Sequence, residues 1–292
     1  MEKLNVILDT DISNEIDDQF ALAYLIKSLD KINLQAITIA PFTGGYTLID
    51  NLKKANDLSF NTAGKILDML NAPEYKKVMY QGAINYSFES KELNPASEKI
   101  IELAKANEHT TIIGIGAITN IAIALYHAPE IASKIDIVWL GGHSFLSHYN
   151  TEFNFQQDVE GVRIVFNSKA PLIVIPCNNV ASNLSTTIYE LEHYLLSQGE
   201  IGKYLCEIFA YFRSKCVKNS NDFIGDSSVL WDISAVAYAL NKDWFNVMYI
   251  SCPNILDDMS YEYTTGKHQI GFVENLHRNK IFNDFFTKLG CK

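Results

Sequence analysis

The sequence predicts an α/β protein: a mainly parallel open sheet flanked by helices, with extra helices toward the carboxyl terminus. Three observations point there. Apolar, strand-like runs alternate with amphipathic segments through roughly the first two-thirds of the chain, the pattern of right-handed βαβ crossovers. The first run, Val6–Leu8, passes straight into a loop carrying Asp9, Asp11, Glu15, Asp17 and Asp18, and an amphipathic segment, Phe20–Leu29, follows at once. Later runs end in polar or glycine-rich turns, and in an open parallel sheet such turns are where ligands bind.

After this opening unit, Leu34–Ala40 reads as a strand. Residues 48–70 show helical periodicity, with a break expected near Asn61-Thr62, and Lys77–Tyr80 is a short strand. Ser97–Ala106 reads as a helix whose Asn94-Pro95 lead-in is a start signal. Thr111–Ile115 is a strand, Asn120–Tyr126 a helix, and Ile135–Leu140 and Leu172–Pro176 are further strands. Beyond Thr187 the chain is mostly helical to Leu240. Val247–Ile250 then reads as a strand, and hairpin strands are expected around Tyr261–Phe272. With no Pro/Gly/Ser-rich linker, internal repeat or low-complexity tract, residues 1–292 are expected to form one domain.

The composition, 48% hydrophobic over 292 residues, suits a large α/β core. A formal net charge of −10 argues against nucleic acid or an anionic membrane as partner. The five cysteines are scattered and lack C-x-x-C spacing, which predicts reduced thiols rather than a disulfide framework or a zinc site. With no leader-like pattern before the early acids and no apolar stretch of membrane-spanning length, the expectation is a cytoplasmic protein.

Asp9 and Asp11, two apart on extended backbone, point the same way. Asp17 and Asp18 fall in the first turn of the next helix, where its dipole favours carboxylates. Singly, each acid has an ordinary reading as a cap or a first-turn residue. Together, just after a buried strand, they are costly unless something positive sits among them, and a hard cation with oxygen ligands fits. Three further stretches fall at or near strand ends: Ile115–Asn120, Gly141-Gly-His143 with Thr151–Asn154, and Leu230-Trp-Asp232. Asp232 heads an apolar helix, Ile233–Leu240, so it is either an N-cap or the closing ligand of a site begun at Asp11.

Taken in order, Asp9-Thr-Asp11…Asp17-Asp18, Gly116-Ala-Ile-Thr-Asn120, Gly141-Gly142, Glu152-Phe-Asn154, Asp158 and Asp232 before Ala235-Val-Ala-Tyr238 resemble the inosine–uridine-preferring nucleoside hydrolases. The resemblance spans nearly the whole length and is weakest in roughly the last fifty residues. It implies a Rossmann-like nucleoside hydrolase fold, a calcium-dependent N-ribohydrolase activity on nucleosides, and a homo-oligomer, dimer or tetramer. Residue by residue it implies that Asp11 binds Ca2+ and acts as general base on the calcium-bound water. Asp18, Asp232 and the main-chain carbonyl of Ile115 complete the ligand set. Asp17, Asn154 and Glu152 bind the ribose, and Asp9 sits behind the metal shell.

The chain also departs from that family. Asp11 and Asp17 enclose Ile12-Ser-Asn-Glu-Ile16, two residues more than the family spacing, which brings Asn14 or Glu15 within reach of the sugar. Where a histidine often protonates the departing base stands Trp231, which either stacks on the base or is a core tryptophan. The family's Gly-Asn after the second strand is Gly44-Gly45-Tyr46, and the His-Gly expected after Gly82 is missing. His143 and His148 are the histidines left to supply an acid. Two rivals stand beside the hydrolase. In one, Asp9-x-Asp11-x-Ser13 and Gly225-Asp-Ser227 resemble a haloacid-dehalogenase-type phosphatase, with Asp9 as nucleophile and magnesium as the ion. The other is a calcium-dependent ribosyl-binding protein without catalysis.

Overall fold

A computed structural model describes residues 3–147, 150–219 and 226–290; His148, Gly225 and Cys291 lie outside the described residues. The strands are β1 (Leu4–Thr10), β2 (Ile32–Ile39), β3 (Met79–Tyr80), β4 (Thr110–Gly114), β5 (Ile135–Leu140), β6 (Leu172–Ile175), β7 (Ser185–Thr187), β8 (Ser227–Val229), β9 (Phe245–Ser251), β10 (Asn254–Ile255), β11 (Tyr261–Glu262) and β12 (Gln269–Leu276). The α-helices are α1 (Asp17–Ile26), α2 (Leu52–Met69), α3 (Pro95–Ala106), α4 (Thr119–His127), α5 (Phe153–Gln157), α6 (Val159–Asn167), α7 (Ile188–Leu195), α8 (Gly199–Asn219), α9 (Ile233–Leu240) and α10 (Arg278–Leu289).

Eight strands form one sheet in the order β3-β2-β1-β4-β5-β6-β12-β9. Every pairing is parallel except β12 with β9 at one edge. Helices cover both faces, which is why the central strands carry apolar runs such as Val6–Leu8 and Ile137–Leu140. Along β1, Val6 and Leu8 face a core shared with α1, α9 and α10, while Ile7 faces the core of α3, α4 and α6. The strand order reverses between β1 and β4. This switch point, where the crossovers on either side diverge, leaves a crevice at the strands' carboxyl ends.

The expected start of α3 holds: Asn94 and Ser97 cap it reciprocally and Pro95 opens it. Two expectations are corrected. The helix over 48–70 does not break at Asn61-Thr62; α2 runs unbroken, anchored by buried Ala63, Ile66 and Leu67, and Thr62 Oγ1 accepts a 2.8 Å bond from Ser13 Oγ. The hairpin around Tyr261–Phe272 is split. β11 pairs with β10, and β12 leaves it to lie between β6 and β9. Gly271 permits this, because a methyl group there would stand 2.5 Å from Ile173 and 2.8 Å from Val247. No helix of the described residues is long and apolar enough to cross a membrane.

Candidate active site

The switch-point crevice holds a cavity of about 280 Å³ lined by the acidic loop, the ends of β4 and β5, the start of α5 and the residues preceding α9. Its back wall is the seam of β1 and β4, where Ile115 N donates to Asp9 O at 2.8 Å. Asp9 is fully buried behind the cavity, accepting from Thr38 Oγ1 at 2.6 Å and Asn120 Nδ2 at 2.9 Å. Burial raises its pKa to about 6 against those donors.

Asp17, Asp18 and Asp232 each bring one carboxylate oxygen to within 4.8 Å of the others, and all three are buried. Their backbones explain the convergence. α1 and α9 pack on each other and both aim their amino termini at this point. Asp232 occupies the N-cap position of α9, yet its side chain caps nothing. Its carboxylate therefore serves the cluster and not the end of the helix. Thr10 Oγ1 donates to Asp18 Oδ1 at 2.5 Å. Backbone N–H groups of Asp232 and Trp231 act on Asp17.

Asp11 adjoins this trio. It is so close to Gly116 that a methyl group there would stand 3.0 Å from Asp11 Oδ1 and 2.7 Å from Ala40 Cβ. Asp11 Oδ2 is buried without a hydrogen-bond partner. The grouping thus takes in Asp17, which the resemblance gives to the ribose, and leaves Asp11 at its side. Burial, then the charge of Asp17, pushes Asp18 up to about 8; burial dominates for Asp17, at about 6. Asp11 and Asp232 are raised by burial and by the neighbouring acids. Among the described residues no lysine or arginine lines the cavity or pairs with these acids. Orphaned buried oxygens and uncompensated charge are what a hard cation relieves, so the donor set fits one.

Glu152 and Asn154 come from the loop leading into α5. Glu152 caps that helix, accepting from Asn154 N and Phe155 N at 2.9 Å each, and from Gly142 N at 2.7 Å. Asn154 Nδ2 donates to Leu140 O at 3.0 Å and to Ile115 O at 3.3 Å, so the carbonyl expected to meet the ion carries an amide donor here. Asn14, Trp231 and His143 also line the cavity. His143 is half-buried, with Nε2 3.3 Å from Asn178 Nδ2. Burial lowers its pKa, so it holds a proton less readily than a free imidazole. Asp158 is not in the cavity; it caps α6 and ties Ser87 and Thr119 to Gly161 N.

Two lining residues, Cys177 and Asn178, escape sequence reasoning, and Tyr46, marked in the sequence only as standing where the family has Gly-Asn, lines the cavity as well. Cys177 and Asn178 follow β6, so the strand-end rule reaches them, but Cys-Asn forms no pattern that marks a site. Residues 6–280 match the family model described as inosine-uridine preferring nucleoside hydrolase. The chain belongs to the inosine-uridine preferring nucleoside hydrolase family. It is 26% identical over 281 residues to the non-specific ribonucleoside hydrolase RihC of Salmonella enteritidis, covering 90% of this chain and 86% of that protein. Its fold is similar to a plant nucleoside hydrolase, PpNRh1 (TM-score 0.82, 18% identity, 99% of both chains). It is also similar to a purine-preferring ribonucleoside hydrolase from Gardnerella vaginalis (TM-score 0.80, 21% identity, 98% of both chains). As a nucleoside hydrolase the chain is an enzyme on N-glycosyl compounds, and its Asp cluster is a candidate metal site. Neither the phosphatase nor the binding-protein reading gains support from this membership. Asp9, which would be the phosphatase nucleophile, is fully buried between Thr38 and Asn120.

Proposed function

We propose that this nucleoside hydrolase cleaves the N-glycosidic bond of ribonucleosides to ribose and free base, with calcium held by Asp11, Asp18, Asp232 and the Ile115 carbonyl. The observation that carries this is the convergence of Asp232 on Asp18 and Asp17 with its cap position unused. The printed names of the relatives, a non-specific and a purine-preferring ribonucleoside hydrolase, support the substrate class. Calcium, when bound, supplies a flexible oxygen-seeking charge that acidifies a water and grips vicinal hydroxyls. Asp11 takes the proton of the attacking water, for which its unpartnered Oδ2 is available. Asp17, Asn154 and Glu152 orient the ribose, Glu152 also fixing the Gly142 backbone. The carboxylates stabilise the positive charge that develops on the sugar as the C1′–N bond breaks. Attack by water in one step inverts the anomeric carbon. Trp231 packs the leaving base. By family resemblance the assembly is a dimer or tetramer, which sedimentation would check.

The test is ribose release from inosine, adenosine, guanosine, uridine, cytidine and p-nitrophenyl riboside, with and without a calcium chelator. Chelator-sensitive release from a natural nucleoside is expected. Turnover unaffected by chelation would remove the ion from the mechanism, and calcium-loaded protein that binds ribose but cleaves nothing would return the binding-protein reading.

A further inference from the structure

We propose that the loop Thr43–Asp50 is a fixed wall for the departing nucleobase, with Tyr46 as the residue that holds the flat face of any base and Gln157 as the residue that positions it. This rests on the hydrolase reading above. The loop follows β2 and closes on itself, Gly44 N donating to Ile49 O at 2.7 Å. Gly44 and Gly45 have φ of 79° and 64°, a path natural only to glycine. It brings the Gly45 backbone so close to Asn14 that a side chain there would collide with Asn14 Oδ1. Tyr46 then lines the cavity while 56% exposed, which puts it at the mouth. Its ring meets Phe212 of α8 edge-on, with centroids 4.6 Å apart at 62°.

The root of the loop is fastened from below. Gln157 pairs its amide with both backbone groups of Thr43: Thr43 N donates to Oε1 at 3.1 Å, and Nε2 donates to Thr43 O at 3.1 Å. Tyr86 Oη bonds Gln157 Oε1 and lies 3.1 Å from Thr43 Oγ1. Gln157 ends the same short helix that carries Asn154 into the cavity, so the loop and the polar floor are set by one rigid piece. A nucleoside has a hydroxylated half and a flat half. The carboxylates and Asn154 form a floor suited to the sugar, which leaves the base to the aromatic mouth. A ring surface accepts any base, because every base has a π-face, so Tyr46 favours aromatic leaving groups without selecting among them.

The experiment uses calcium-loaded protein and measures kcat and KM for inosine and uridine, together with the inhibition constant of free ribose, which has no base. Tyr46→Ala is expected to raise KM for both nucleosides about tenfold, the mid-range worth of stacking one base. The ribose constant should stay within about twofold, and Tyr46→Phe should keep the wild-type KM. Tyr46→Leu, which keeps bulk, guards against a folding defect and should behave as Tyr46→Ala. Gln157→Leu should raise KM in the same pattern, and should cost nothing further in the Tyr46→Ala background. A ribose constant that rises in step with KM, an unchanged KM in Tyr46→Ala, or additive losses in the double variant would each overturn the proposal. Wild-type protein that frees no ribose from any nucleoside would overturn the hydrolase reading, and the wall with it.

Discussion

Thr10 Oγ1 donates to Asp18 Oδ1 at 2.5 Å, joining the last residue of β1 to the first turn of α1 inside the carboxylate cluster. Both residues are buried, so the bond fixes which Asp18 oxygen faces the other acids. Thr10→Val keeps the shape and removes the donor. A hydrogen bond to a charged group is worth about 1.5–3 kcal/mol, so calcium affinity should fall at least tenfold. Titration calorimetry checks this; unchanged affinity would mean that Asp18 needs no such restraint to meet the ion.

Asp11→Ala should lower kcat by roughly 10²–10⁴, the usual worth of a positioned base, and should also weaken calcium binding. Ribose release under saturating calcium measures it. Near-normal turnover would assign the base elsewhere, with Glu15 of the same loop, which also lines the cavity, the acid to test next.

Stability of the chelated protein should fall as pH rises from about 4 to about 8. Burial holds Asp9 and Asp17 up at about 6 and Asp18 at about 8, so the folded state keeps protons that the unfolded chain has released. Raising pH across that window therefore favours unfolding. On the proposed reading calcium replaces those protons, so the rise in melting temperature on adding it should be larger at pH 8 than at pH 5. Melting temperatures in chelator that rise with pH would contradict the burial of these carboxylates.

Asp158→Ala should destabilise the fold by about 3–4 kcal/mol, because it strands donors from Ser87, Thr119 and Gly161 in the interior. Urea unfolding measures it, and Asp158→Asn should recover part of the loss.

The central strands were legible because burial on two faces gives them apolar runs, such as Val6–Leu8 of β1 and Ile137–Leu140 of β5, and Ile135–Leu140 has the same bounds in the sequence reading and the structure. The opening acids were legible from their place after Leu8, and Asp232 from its isolation at the head of an apolar helix. What Asp232 does was not, since capping and clustering use the same residue at the same position, and only the idle cap separates them. β12 was misread because local pattern reports strand tendency but not partner, and its partners β6 and β9 are selected by packing around Gly271. The places of Tyr46 in the cavity wall and of Gln157 beneath its loop were not legible for a similar reason. Their roles come from a loop and a helix far apart in sequence, joined through Thr43.

The meeting of α1 with α9 has a consequence for how the enzyme is born. Asp17 and Asp18 leave the ribosome early, and Asp232 emerges only after most of the chain has been made. Until it arrives, the growing polypeptide carries a half-built cage of mutually repelling acids. On the proposed reading, capture of the ion is therefore a late event of maturation, completed only when Asp232 joins the acids of α1.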